Sequence, residues 1–222
     1  MSYHKSCLKM LMVSAVATVT STAVFAKEPA GSYINLYVGP SNLSSTNLSE
    51  SRPAPGGLVS GKATFSSGLG LGGAYGYRYG NGWAAEIQWD YRRHDLKNIG
   101  GSQIDGDFAS NILFVNGYYR FDKMGSVRPF VGAGIGWAQE VDFDITRNGQ
   151  SLSYSRSGGA AFQAIVGGEI DVSDRWSLVG DVRWTRVNSG TFKAENASSG
   201  GVLTGKPKYQ PVSLNLGVTY KF

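Results

Sequence analysis

Cysteine is almost absent from this chain: among 222 residues there is one, Cys7. Proline is scarce at seven, charged side chains make up only 17%, and the 31 glycines follow no Gly-X-Y period. A charge-poor chain with 12% aromatics is neither a disordered tail nor a nucleic-acid-binding arm. Glycine without proline or period is likewise not collagen. After residue 26 no stretch of 18 apolar residues occurs, so no helix beyond that point is expected to span a bilayer.

The first 26 residues read differently. His4, Lys5 and Lys9 precede an uncharged stretch from Met10 to Phe25, and Val24-Phe25-Ala26 offers the small residues of a cleavage site. This pattern predicts a secretory signal peptide at 1–26 and a single domain at 27–222. Lys5 and Lys9 leave with the leader, so 21 basic residues become 19 against 16 acidic ones, a net +3 that does not call for a polyanion such as nucleic acid. Cys7 leaves too, which removes disulfides, thiol nucleophiles and thiolate metal sites from the expected mature protein.

What the domain does have is alternation. Ile34, Leu36 and Val38 alternate with Tyr33, Asn35 and Tyr37; Leu69, Leu71, Tyr75, Tyr77 and Tyr79 alternate with Gly70, Gly72, Gly76 and Arg78. The same period of two recurs at 83–92, 113–121, 131–138, 162–170, 176–185 and 212–222, giving eight predicted strands with one apolar face each. The links at 41–66, 93–107, 140–158 and 188–208 are long, whereas 80–82, 122–126 and 173–175 are short. Asn81-Gly82 carries the positive-φ chemistry of a tight hairpin. Long and short connections alternate strictly, which places all long links at one end, as in an outer-membrane barrel.

Eight strands cannot enclose rows of Trp, Tyr and Leu together with the opposing polar rows, so the apolar rows are expected to face outward into lipid. Tyr79, Trp83, Phe121, Phe130, Trp176, Tyr220 and Phe222 cluster beside the short turns and are expected to form an interfacial aromatic girdle. The inward rows alternate glycine with charge: Gly70, Gly72, Gly76, Gly132, Gly134 and Gly136 leave room that arginines from neighbouring strands are expected to fill. Arg78, Arg92, Arg120 and Arg183 are expected to pair with Glu86, Asp90, Glu169 and Asp181 in a narrow interior, because an isolated buried charge costs several kcal/mol.

Asn116-Gly117-Tyr118-Tyr119-Arg120-Phe121 followed by Arg128-Pro129-Phe130-Val131-Gly132-Ala133-Gly134-Ile135-Gly136-Trp137 resembles the central hairpin of the opacity-type surface antigens, a family of small outer-membrane β-barrels. Gly167-Gly168-Glu169-Ile170-Asp171 with Asp174-Arg175-Trp176-Ser177-Leu178 is similar to that family's third tight hairpin. The resemblance implies an all-β, eight-stranded, antiparallel, up-and-down transmembrane barrel. The family commonly has an acidic residue where Arg120 stands. The last strand, with Asn215, Gly217, Tyr220 and Phe222, resembles the C-terminal signal read by the barrel-assembly machinery, which would recognise it by β-augmentation.

Other motifs carry less. Gly68-Leu69-Gly70-Leu71-Gly72-Gly73 satisfies the dinucleotide pattern literally, but it lies within an alternating strand with no helix after it. His94 is the single histidine after the leader and reads as a solvated loop residue, and residues 176–222 contain no His to support a lipid-deacylase site. Asp142 and Asp144, or Asp105 and Asp107, lack further ligands at calcium-site spacing. No catalytic residue, metal or cofactor is therefore expected.

The long links, rich in Ser, Gly and Pro, read as mobile exposed loops. The expectation is an outer-membrane surface protein with both termini periplasmic and four loops outside the cell. It would act structurally and through those loops on a host or surface ligand, with outer-membrane lipid and lipopolysaccharide around it. The rivals are a small passive channel and, less well supported, a lipid-modifying enzyme. Deleting Phe222 is expected to lower the amount of folded barrel in the membrane, read as the heat-modifiable fraction on gels; an unchanged fraction would reject the assembly signal.

Overall fold

The structure is a computed structural model and describes residues 29–51, 60–103, 105–147, 150–188, 192–194, 202–203 and 208–222. The expected leader, 1–26, lies outside the described residues. Eight long strands form the barrel: β1 (Gly31–Leu43), β2 (Gly68–Arg78), β3 (Trp83–Ile99), β4 (Asp105–Arg120), β5 (Val127–Arg147), β6 (Ala160–Asp171), β7 (Trp176–Val187) and β8 (Pro211–Lys221). Each pairs antiparallel with the next. The sheet then closes on itself through β1 and β8, with Tyr33 opposite Lys221 and Val38 opposite Leu216. Closure satisfies every strand's hydrogen-bonding edge, the condition for a sheet to cross lipid.

One end is held by tight turns. Between β2 and β3, Gly80 (φ 71°) and Gly82 (φ 89°) adopt left-handed conformations that a side chain would strain, and the Tyr79 N–H donates to the Trp83 carbonyl at 3.0 Å. The outer surface follows the predicted alternation: Leu36, Tyr75, Ile87, Val115, Ile135, Val166, Leu178 and Leu216 all stand exposed. Tyr79, Trp83, Phe121, Trp176 and Phe222 are exposed at the turn end, joined in edge-to-face pairs such as Trp83 with Tyr119 (5.2 Å) and Trp176 with Tyr220 (4.9 Å). Phe130 corrects the expectation. It lies one residue out of phase with Val131, points inward at 6% exposure, and packs edge-on to Tyr118 at 5.7 Å.

The opposite end departs most from the sequence reading. β3, β4 and β5 run 17, 16 and 21 residues, against 11 to 13 for the other five, and rise beyond them as a tall wall. Short strands in the supposed loops complete a second ring on that wall. Ser60–Phe65 pairs with β3, Thr46–Ser51 pairs with Ser60–Phe65, and Val202–Leu203 pairs with Thr46–Ser51. Phe192–Ala194 then pairs with Val202–Leu203, Gln150–Arg156 pairs with Phe192–Ala194, and β5 receives Gln150–Arg156. The described parts of the four long links are thus largely strand, and they close a cap coaxial with the barrel.

The cap folds because side-chain parity inverts along β5. Opposite Asn111 and Ile112 the register shifts, leaving Gln139 as the extra residue of a bulge. Below it Val131, Ile135 and Trp137 face outward; above it Val141, Phe143 and Ile145 face inward while Asp142 and Asp144 face out. A one-residue insertion exchanges the two faces of a strand. The inward row now meets Phe108, Ile112, Leu48, Leu96, Tyr154 and Phe192 in one buried apolar cluster, with the Phe108 ring 5.4 Å from Phe143 and 5.9 Å from Phe192. Replacing Phe108 with Ala should cost about 3–5 kcal/mol through the cavity it leaves. Limited proteolysis of the refolded variant in vesicles should then cleave the cap while β6 to β8 stay protected; a cap as resistant as that of the parent protein would reject the shared core.

Candidate functional site in the barrel interior

All eight predicted charges point inward and are buried: Arg78, Glu86, Asp90, Arg92, Arg120, Glu169, Asp181 and Arg183. They lie in layers set by strand register. Nearest the turn end, Glu169 on β6 accepts from two guanidiniums, Arg78 on β2 at 3.1 Å and Arg120 on β4 at 2.8 Å. Next, Glu86 takes hydrogen bonds from the Tyr33 hydroxyl (2.9 Å), the Tyr118 hydroxyl (2.6 Å) and the Asn116 amide (3.0 Å). Above these, Arg183 donates to Asp181 in a fork at 2.8 and 2.9 Å and stands over the Tyr37 ring at 4.0 Å. Arg92 then pairs with Asp90 at 2.9 Å and donates to Thr185 at 3.1 Å.

Amides and hydroxyls tie the layers together. Gln88 donates to the Tyr37 hydroxyl at 2.6 Å, which donates onward to Asp90 at 2.7 Å. Asn116 donates to Gln88, Gln163 donates to both of them, and the Asn215 amide donates to Asp181 at 2.7 Å. Buried ions are tolerable only when their hydrogen bonds are made. Of the expected assembly-signal residues, Asn215 and Gly217 thus face the interior chemistry. Tyr220 and Phe222 lie at the turn end.

The glycines do their work in register. The sequence reading expected arginines to fill the space they leave, and this holds only for Gly70, where an added Cβ would sit 3.2 Å from Arg92. Elsewhere each glycine lies directly opposite a large inward side chain: Gly76 opposite Tyr33, Gly72 opposite Tyr37, Gly132 opposite Tyr118 and Gly134 opposite Asn116. An added Cβ would approach those side chains to between 1.9 and 2.5 Å. Tyr33, Tyr37, Tyr118 and Asn116 were not singled out in the sequence. Their signal was present as inward-parity rings facing glycines.

His94 is the second correction. It lies on β3 rather than in a loop, is fully buried, and its Nε2 is 2.9 Å from Ser41 Oγ. The Tyr209 ring stands edge-on at 6.1 Å, and the Tyr209 hydroxyl is 2.6 Å from Ser110 Oγ. Gly68 makes room, since a Cβ there would lie 2.8 Å from the imidazole. This hydroxyl and imidazole layer separates the charged interior from the apolar cap. The serine and histidine have dyad spacing but no exposed surface at which a substrate could meet them.

Between the two lowest layers, Tyr33, Arg78, Glu86, Tyr118, Glu169 and Arg183 leave a space of about 20 Å³, room for a single water. At the turn end a wider vestibule of about 760 Å³, lined by Ser32, Lys123, Asp171 and Lys221 among others, narrows to this space at Arg78.

A closed antiparallel barrel with an apolar outside, a charged inside and aromatic rings at its rim is a transmembrane barrel of the outer-membrane type. The chain belongs to the family of outer membrane protein beta-barrel domains, which it matches over residues 12–222. It is 31% identical over 104 residues to the outer-membrane protein y4mB of Sinorhizobium fredii, a stretch covering 47% of this chain and 44% of that relative, so less than half of the relative's length. Among solved structures it is similar to the outer membrane protein OprG of Pseudomonas aeruginosa (14% identity, 86% and 96% of the two chains, TM-score 0.58). It is also similar to a major outer membrane protein of Thermus thermophilus (13%, 88% and 100%, TM-score 0.57) and to the outer membrane protein AlkL (21%, 93% and 97%, TM-score 0.51). These structural likenesses show the fold.

Replacing Arg183 with Leu leaves Asp181 buried without its fork and should cost about 3–5 kcal/mol. The temperature at which the folded gel band converts to the unfolded one should fall sharply; an unchanged transition would reject the network.

Proposed function

We propose that this protein is a surface barrel with a filled interior, which serves the outer membrane structurally and meets its partners through the cap rather than by passing solutes. The cap end faces outside the cell, the tight turns and both termini face the periplasm, and the last strand serves as the assembly signal. The observation that carries this reading is the interior itself. Four arginines, four carboxylates and the tyrosine and amide bridges between them occupy the bore, and the cavity among the layers nearest the tight turns is of the order of one water. Eight strands enclose a bore only just wide enough for side chains, so a filled bore leaves no conduit.

The cap extends this argument. Its apolar core lies across the barrel axis beyond the charged layers, and its outer wall carries polar side chains such as Asn47, Lys62, Asp95 and Lys193. A ligand at the cell surface meets that wall. Because the cap strands share one core, side-chain exchange on the wall probes binding more cleanly than removal of whole links. Among the described residues no nucleophile and base meet at an accessible cleft.

Planar bilayers holding the refolded protein should show no steady conductance steps. Reproducible single-channel steps from the native barrel would overturn the filled-interior reading and favour a small channel.

A further inference from the structure

Two arginines stand just beyond the lipid-facing belt on opposite sides of the barrel, and their surroundings differ. Arg93 follows the outward ring Tyr91 by two residues on β3, and Arg186 follows Trp184 by two residues on β7, four strands away around the ring. Arg93 is neutralised within the protein: it lies 3.2 Å from Asp107 and 3.8 Å from Asp95. That wall therefore keeps its cation occupied.

Arg186 has no such neighbour. It is exposed, and among the described residues it makes no ion pair. The antiparallel bridge between Val187 and Tyr209 sets Lys208 opposite Asn188, one pleat from Arg186 and on the same outward face. The guanidinium of Arg156 reaches the same place and donates to the Asn188 carbonyl. The described stretches flanking Arg186 and Lys208, 158–164, 208–214 and 38–43, contain no Asp or Glu, whereas beside Arg156 the residues Glu140 and Asp142 flank its partner Val141 on β5. Directly below lie Trp184, Phe162 and Trp137, exposed at 42%, 45% and 60% and bounding the apolar belt. Two strand residues span about 6.6 Å, so these cations stand at headgroup depth when the rings mark the hydrocarbon edge.

We propose that Arg186 and Lys208, with Arg156 beside them, form a binding site for the phosphorylated headgroup of an outer-leaflet lipid. Arg186 and Lys208, which make no ion pair among the described residues and stand above lipid-facing aromatics, match a ligand whose phosphate is fixed at that depth by its own acyl chains. A guanidinium binds phosphate in a fork, and the adjacent ammonium adds a second, compact charge. The site gives the barrel a preferred side for lipid contact, β6 to β8, while the Arg93 wall stays indifferent. The inference rests on the cap end facing outward, which biotin labelling of a Lys62→Cys variant in intact cells reads separately.

Native mass spectrometry of the refolded protein offered lipid A, a bisphosphorylated glycolipid, or phosphatidylcholine tests the site. Lipid A should stay bound to the native barrel through detergent removal. Arg186→Gln with Lys208→Gln should weaken retention about tenfold per cation removed, the weight of one charge-assisted hydrogen bond. Arg186→Lys should lose only part of it, and Arg93→Gln, on the opposite wall, should change nothing. Retention that is equal in the double variant, equally reduced by Arg93→Gln, equal for phosphatidylcholine, or abolished by inorganic phosphate would each overturn the proposal. The heat-modifiable gel shift confirms that every variant is folded.

Discussion

Closure of the hydrogen-bond ring between β1 and β8 is the constraint on which the rest depends. Lipid offers no partner to a backbone amide, so a sheet that spans it must leave no edge. Once eight strands close, the bore is fixed at a width that side chains fill, and every inward group is cut off from bulk water. The interior composition follows from that geometry. Arginines appear with carboxylates within 3.1 Å, carboxylates with tyrosine hydroxyls, and amides with one another. Glycines sit across from the rings because two large side chains cannot share one inward position on neighbouring strands.

The same closure is repeated once more at the tall end, with the polarity reversed. In the membrane section apolar residues must face out; in the cap, where water is outside, they must face in. Three strands, β3, β4 and β5, serve both sections, and β5 does so by inserting Gln139 and exchanging its faces. The bulge is therefore where the chain leaves one solvent for another. His94, Ser41, Ser110 and Tyr209 lie near this change between ionic and apolar layers, hydrogen-bonded as His94 with Ser41 and Ser110 with Tyr209 and joined by the edge-on contact of the two rings.

The barrel is legible because its strands obey one rule over five to nine residues at a time, and the rule names the solvent. Ile34 to Val38, Trp83 to Tyr91 and Val212 to Val218 show it without a break, and charges on the opposite parity had nowhere to go but inside. Phe130 was misread through its nearness to the short turn, although its parity with Gly132 and Gly134 already placed it inward. The cap was missed for a physical reason. Val141-Asp142-Phe143-Asp144-Ile145 alternates as cleanly as any barrel strand, but its apolar phase is inverted by a residue whose role as a bulge depends on its partner, Asn111. Pairings such as Val202 with Ser51 join residues far apart in sequence and leave little local trace. His94 followed the same error, since the strand that buries it continued past the point where the barrel pattern stopped.

The interior and the outer surface are different kinds of site. Inside, each charged side chain has an opposite charge or a hydrogen-bonding group of the same chain beside it, although Arg92 Nε and Nη2 and Arg183 Nη1 make no hydrogen bond among the described residues. Outside, the chain is free to leave charges open, and it does so unevenly: Arg93 is closed off by Asp95 and Asp107, whereas Arg186 and Lys208 face outward over Trp184 and Phe162 without an acidic neighbour in the described flanks. A cation held beside lipid-facing rings loses part of its hydration on one side, and Arg186 gains no ion-pair partner among the described residues. Such a group is stabilised only by what the membrane or the medium brings to it. The asymmetry of the wall is the ground on which the proposed lipid site at β6, β7 and β8 rests.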